Sequence, residues 1–153
     1  MTDQTKASAP PQWAYLPFQI TITAAALVLF NQAVFAGQFL AGTFGSLHAH
    51  RENATYAGIS VLLAAVCAVL VRWPGQGPLW PLLACLGLFA LIAVEIILGF
   101  ARVLALHIPL GVSISTLAVL LVIWAWRSRP PARVDTTDAA APGEDASELP
   151  VQL

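Results

Sequence analysis

Four long apolar stretches, each nearly free of charge, set the limits on what this chain can fold into. They run from about Pro17 to Phe44, Ala54 to Val71, Leu79 to Ala101 and Pro109 to Arg127. Apolar runs of about 18 residues or more read as transmembrane helices, because a helix that long crosses the hydrocarbon layer and satisfies its own backbone polar groups. Composition agrees. Of the 153 residues, 58% are hydrophobic and 10% charged, whereas a soluble domain carries roughly a quarter charged residues. Mean hydropathy is +0.76.

The expectation is an all-α integral membrane protein: a four-transmembrane-helix bundle over residues 17–127, in a lipid bilayer. Trp13 and Tyr15 before the first span, Arg72-Trp73-Pro74-Gly75 after the second and Trp124-Ala125-Trp126-Arg127 after the fourth supply interfacial aromatics, cations and turn residues. The first span is too long for a signal-peptide core and is expected to remain uncleaved. Residues 1–16 and 128–153 are rich in Pro, Ala and polar residues and are expected to be disordered tails. Lys6, Arg72, Arg127, Arg129 and Arg133 fall on one side of a four-span topology, Arg51 and Arg102 on the other. The positive-inside rule then predicts a multi-pass plasma-membrane protein with both termini in the cytoplasm.

Several classes of function are excluded. A formal charge of -1 with no clustered basic surface argues against nucleic-acid binding. Cys67 and Cys85 lie inside apolar runs without CxxC spacing, as buried thiols do. No phosphate-binding Gly-rich loop, no HExxH and no plausibly placed Ser/His/Asp set is present, so no residue is assigned a catalytic role and enzymatic activity is not expected.

The polar stretch Gln38–Gly58 interrupts this apolar background with a Gln, two His, an Arg, a Glu and an Asn. Part of it recurs. Gln38, Gly42, His50, Ala54 and Gly58 match Glu95, Gly99, His107, Gly111 and Ser115 at one constant spacing, which suggests two similar helical hairpins, an internal repeat. His50 and His107 each open a helix, and each is followed four and eight positions on by small residues on the same helix face. Two such helices facing one another can offer one imidazole each to a single metal. Haem iron suits two neutral imidazoles, and its flat macrocycle needs a smooth wall such as Gly58 and Gly111 help provide. The expectation is therefore haem b with His50 and His107 as axial ligands, and Arg51 and Arg102 as partners for the propionates or for lipid phosphates. His48 has no counterpart, since Ala105 stands in its place.

Glu95 lies within the third span, with Gln38 at the matching depth of the first, and an intramembrane ionisable group suggests a polar or proton site. Its expected partners are Arg102 or His107. Alternatively it is a neutral carboxyl bonded to Gln38 or Asn31 that glues helices together. Asn31 and Gln32, near the middle of the first span, are expected to bond across helices. The alternative to haem is a non-enzymatic membrane subunit whose polar residues cap helices and meet a membrane-complex partner or a second copy in a homodimer.

His50-Arg51 opening the second span, with His107 opening the fourth, resembles one four-helix half of the heme A synthase family. That resemblance implies histidines on the second and fourth helices that hold or receive haem; Leu47 stands where that family has a Glu. Gln38-Phe39-Leu40-Ala41-Gly42 and Ala105-Leu106-His107 are similar to motifs of a family of small four-span bacterial membrane proteins of unknown function, over about Phe18 to Arg127.

Overall fold

The computed structural model describes residues 12–128. Among them are four α-helices: α1 (Leu16–Leu40), α2 (Ser46–Arg72), α3 (Trp80–Phe100) and α4 (Leu104–Arg127). Each is long and apolar enough to cross a membrane, so the protein is an all-α, multi-pass membrane bundle. α1 packs on α2 and α4, and α3 on α2 and α4, giving an up-and-down ring of four. Pro17 and Pro81 occupy first turns of α1 and α3, where a missing N–H leaves no bond unmade. The α1–α2 turn passes through Gly42 at φ 96°, a left-handed conformation that costs glycine little.

Helix and apolar run do not coincide. α2 starts at Ser46, well before the apolar run beginning near Ala54, and α4 starts at Leu104, ahead of Pro109. Hydropathy marks where hydrocarbon begins, whereas helix propagation only needs residues that tolerate the conformation, as Leu, His, Arg and Glu do. The N-terminal boundary shifts as well. Within the expected tail 1–16, Gln12–Ala14 form a 3-10 turn, and Ala14 and Tyr15 are buried. The Tyr15 hydroxyl donates to the carbonyl of Gly75 at 3.4 Å, which ties this segment under the α2–α3 turn. The remaining tail expectations, at 1–11 and 129–153, lie outside the described residues.

The core is concentrated in the half of the bundle that holds the start of α1 and the end of α4. It comprises Phe18, Ile22, Ala25 and Leu29 of α1, Cys85, Leu88 and Ile92 of α3, and Ile114, Ala118, Leu121 and Ala125 of α4. α2 contributes Ala57, Val61, Ala64, Ala65 and Ala68, small side chains that let neighbouring helices approach closely. Such contact is the main source of association where lipid offers no hydrophobic drive. Gln19 Nε2 donates to the Ala125 carbonyl at 3.0 Å, and Trp124 stacks edge-on against Trp80 and Phe18, closing this end.

The α2–α3 turn is tight. A Cβ on Gly77 would lie 2.6 Å from the Tyr15 hydroxyl oxygen and 2.9 Å from the Val71 carbonyl oxygen. Backbone cannot yield as a side-chain tip can, so Gly77→Ala is expected to destabilise the bundle by about 1–3 kcal/mol. Unfolding in mixed micelles measures this; a midpoint equal to wild type contradicts the packing described.

A histidine-lined cleft between the four helices

Beyond Leu29 and Ile92 the bundle opens. Small residues (Ala33, Ala36 and Gly37 of α1, Gly111 and Ser115 of α4) form part of the wall of a space of about 460 Å³ and leave it unfilled. The space continues toward the His end into a mouth of about 200 Å³ lined by Arg51, Phe100 and Leu104 among others. Gln32, His50, Glu95 and His107 line both parts. Ala33, Gly37, Val112 and Thr116 line the cleft and are also exposed, so it opens sideways between α1 and α4.

His50 and His107 face one another, ring centres 6.1 Å apart and planes inclined at 69°. Each is oriented by the helix before it. His50 Nδ1 lies 3.1 Å from the Gln32 carbonyl oxygen, and His107 Nδ1 lies 3.1 Å from the Glu95 carbonyl oxygen. A carbonyl only accepts, so both rings carry their proton on Nδ1 when neutral, and both present an Nε2 lone pair. The Glu95 carboxylate oxygen Oε1 is also 3.1 Å from His107 Nδ1. His107 packs flat on α3, where a Cβ on Gly99 would come within 3.0 Å of its Cε1. Gly111 plays the same part for Glu95, whose Oε1 would be 2.8 Å from an added Cβ. The second oxygen, Glu95 Oε2, is buried without a hydrogen-bond partner among the described residues.

On the α1–α2 side the polar groups form a chain. Gln32 Nε2 donates to the His50 carbonyl at 2.9 Å and meets His50 Nε2 at 3.2 Å. Gln32 Oε1 accepts from Asn53 Nδ2 at 2.7 Å, and the same nitrogen lies 2.9 Å from the Val28 carbonyl. Asn53 is buried, and its loss removes the donor to Gln32 Oε1 and a second bond to the Val28 carbonyl, so Asn53→Ala is expected to cost about 1–2 kcal/mol. A double-mutant cycle with Gln32→Leu measures the shared part; additive effects contradict the network.

The sequence-derived residues divide. His50, His107, Glu95, Gly111 and Arg51 converge on the cleft, Arg51 at its mouth with the guanidinium 5.6 Å from the Phe100 ring centre. Gly58 instead packs against Phe89 and Ile92 of α3, outside the cleft lining, because it falls on the α2 face turned to α3. Arg102, at φ 58°, forms the α3–α4 turn; of the two partners considered for Glu95, the contact is made by His107. Gln38 accepts from the Ser46 hydroxyl at 2.9 Å and does not meet Glu95. His48 is exposed and pairs with Glu52 along its own helix. Gln32 bonds across helices, whereas Asn31 is exposed on the far face of α1. Gln32 is the site residue that spacing does not single out: the histidine offset pairs His50 with Gln38, but a longer α1–α2 turn (Ala41–Gly45 against Ala101–Val103) brings Gln32 to His50.

No grouping of three or more His, Cys, Asp or Glu suited to a metal ion occurs among the described residues. His50 and His107 are the two imidazoles that face each other in the cleft. No protein-family model, curated protein or solved structure matches the chain. Fold and cleft define it as an integral membrane four-helix bundle with a paired-histidine cleft open to the bilayer.

Proposed function

We propose that the cleft holds one haem b between His50 and His107, and that the protein serves in electron transfer or haem handling. One observation carries this reading: two imidazoles from diagonally placed helices face each other with ring centres 6.1 Å apart. A metal shared by two imidazole nitrogens at about 2 Å from each sets the ring centres roughly 6 Å apart. The carbonyl bonds to both Nδ1 atoms supply the second-shell orientation that metal-binding histidines require and leave Nε2 for the metal. A donor set of two suits a macrocycle that brings the other four nitrogens itself. The cleft volume lies within the range of about 300–1,000 Å³ found for cofactor sites.

Haem supplies a one-electron couple; the chain supplies orientation and a dry wall. Arg51 at the mouth is the propionate partner in this reading, and Arg102 is not needed for it. The Gln32 amide nitrogen, 3.2 Å from His50 Nε2, must move off that lone pair in this reading. Placement in a plasma membrane with cytoplasmic termini rests on the arginine distribution and belongs to the same proposal.

A second reading has its own observation. Because Gln32 Nε2 already meets His50 Nε2, the histidines, Gln32, Asn53 and Glu95 can instead be hydrogen-bonding glue in a colourless membrane subunit. Expression with haem available, followed by haem quantitation of the purified chain, decides between them. About one haem per chain supports the first reading; none supports the second.

A further inference from the structure

We infer that the face of α1 turned away from the bundle is the contact surface of a parallel homodimer, with Asn31 paired to Asn31 of a second copy. The core side of α1 is Phe18, Ile22, Ala25 and Leu29; diametrically opposite run Ile20, Ala24, Leu27, Asn31, Val34 and Gln38, all exposed. Their spacing alternates between four and three. Ala24, Asn31 and Gln38 thus take one seam position of a heptad, and Ile20, Leu27 and Val34 the other. Ile20, Leu27 and Val34 are 55%, 63% and 38% exposed, so nothing among the described residues covers them.

An apolar seam alone could face lipid. Asn31 makes that costly. It lies about 22 Å along the helix from Leu16 and about 14 Å from Leu40, well inside the hydrocarbon. Its amide makes no hydrogen bond among the described residues, and hydrocarbon offers none. The exposed hydroxyls of α4 make no such demand, since Ser113 and Thr116 donate to the carbonyls of Pro109 and Val112 on their own helix.

The occupant follows from symmetry and chemistry. Two copies inserted the same way relate by an axis along the membrane normal, which sets each seam residue beside its own counterpart. An amide is self-complementary, each N–H₂ donating to the other's C=O, so one residue type satisfies both sides. An Asn at one seam position also fixes register and favours a parallel pair. Gln38, one heptad on, has Oε1 bonded by Ser46 and its amide nitrogen left over for the same axis. The seam lies away from the α1–α4 opening, so dimer contact and cleft occupancy are independent.

The test uses the full chain, with Cys67→Ala and Cys85→Ala, purified into phosphatidylcholine vesicles at a series of lipid ratios. Circular dichroism first checks that this background keeps its helix content. Single cysteines at Leu27→Cys, Val34→Cys and, as control on the α2 lipid face, Leu63→Cys are then oxidised. Disulfide dimers at the first two positions and not at the third are expected. Because Asn31 points away from the core, Asn31→Leu should leave the fold intact. It should raise the protein density needed for half-maximal cross-linking about five- to thirtyfold. Monomers at every density would give the face to lipid and overturn the inference. So would preferential cross-linking through Leu63→Cys, or an Asn31→Leu variant that dimerises like its parent. In native membranes, cross-links from α1 to another polypeptide and none to a second copy would assign the face to a different partner and overturn it equally.

Discussion

Replacing His107 by Ala, or His50 by Ala, is expected to lower haem affinity at least about 100-fold and abolish the low-spin spectrum. Removing even a second-shell partner costs 10–100-fold in metal binding, and each of these changes removes a ligand outright. The fold should survive both. Neither side chain belongs to the packed core, and Gln32 keeps its bonds to the His50 carbonyl and to Asn53 in either variant. His48→Ala is the control, because His48 is exposed, pairs only with Glu52 and does not line the cleft. If His50 and His107 serve only as helix glue, each variant loses a bond or two worth about 1 kcal/mol apiece and no colour changes. Haem titration of purified variants separates these outcomes.

The second large effect is expected at Gly111. A Cβ there would stand 2.8 Å from Glu95 Oε1, and the branches of a valine would reach further into the cleft. The carboxyl tip can swing away, but doing so abandons His107 Nδ1, 3.1 Å off. Gly111→Val is therefore expected to weaken haem binding about 10–100-fold, as loss of an orienting partner and of cleft space together imply. Gly58→Ala provides the contrast. Its Cβ would meet Phe89 and Ile92 at 3.8 and 3.9 Å, ordinary contact, and the change should be tolerated within about 0.5 kcal/mol. Equal sensitivity at both glycines would contradict the distinction between cleft wall and helix-packing position.

The spans were legible in the sequence because a hydrocarbon solvent permits so few residues within it, and Asp, Glu, Lys and Arg nearly vanish between about Pro17 and Arg127. The histidine pair was legible from its shared spacing with Gln38 and Glu95. Its surroundings were less so. Helix ends escape hydropathy, so His50 lies within the body of α2 and its carbonyl partner is Gln32, about 1.7 turns back along α1 from Gln38. Which way a glycine faces depends on the helix rotation that packing sets, and this is why Gly58 and Gly111 diverge although both belong to small-residue strips. Of Asn31 and Gln32, both expected to bond across helices, only Gln32 does so among the described residues, for the same reason: it is turned about 100° around the helix from Asn31 and takes the inward place. The opening between α1 and α4 has no sequence signature, being a space left by Ala33, Gly37, Gly111 and Ser115 together.

The most direct test of the account is the reduced-minus-oxidised absorption spectrum of the wild-type chain, expressed with haem available and purified in mild detergent. The account predicts the sharp, resolved α and β bands of a six-coordinate, low-spin haem b at about one haem per chain, absent from both the His50→Ala and His107→Ala proteins. A colourless protein that gains no such bands when haem is added, or bands that persist in both variants, would contradict it.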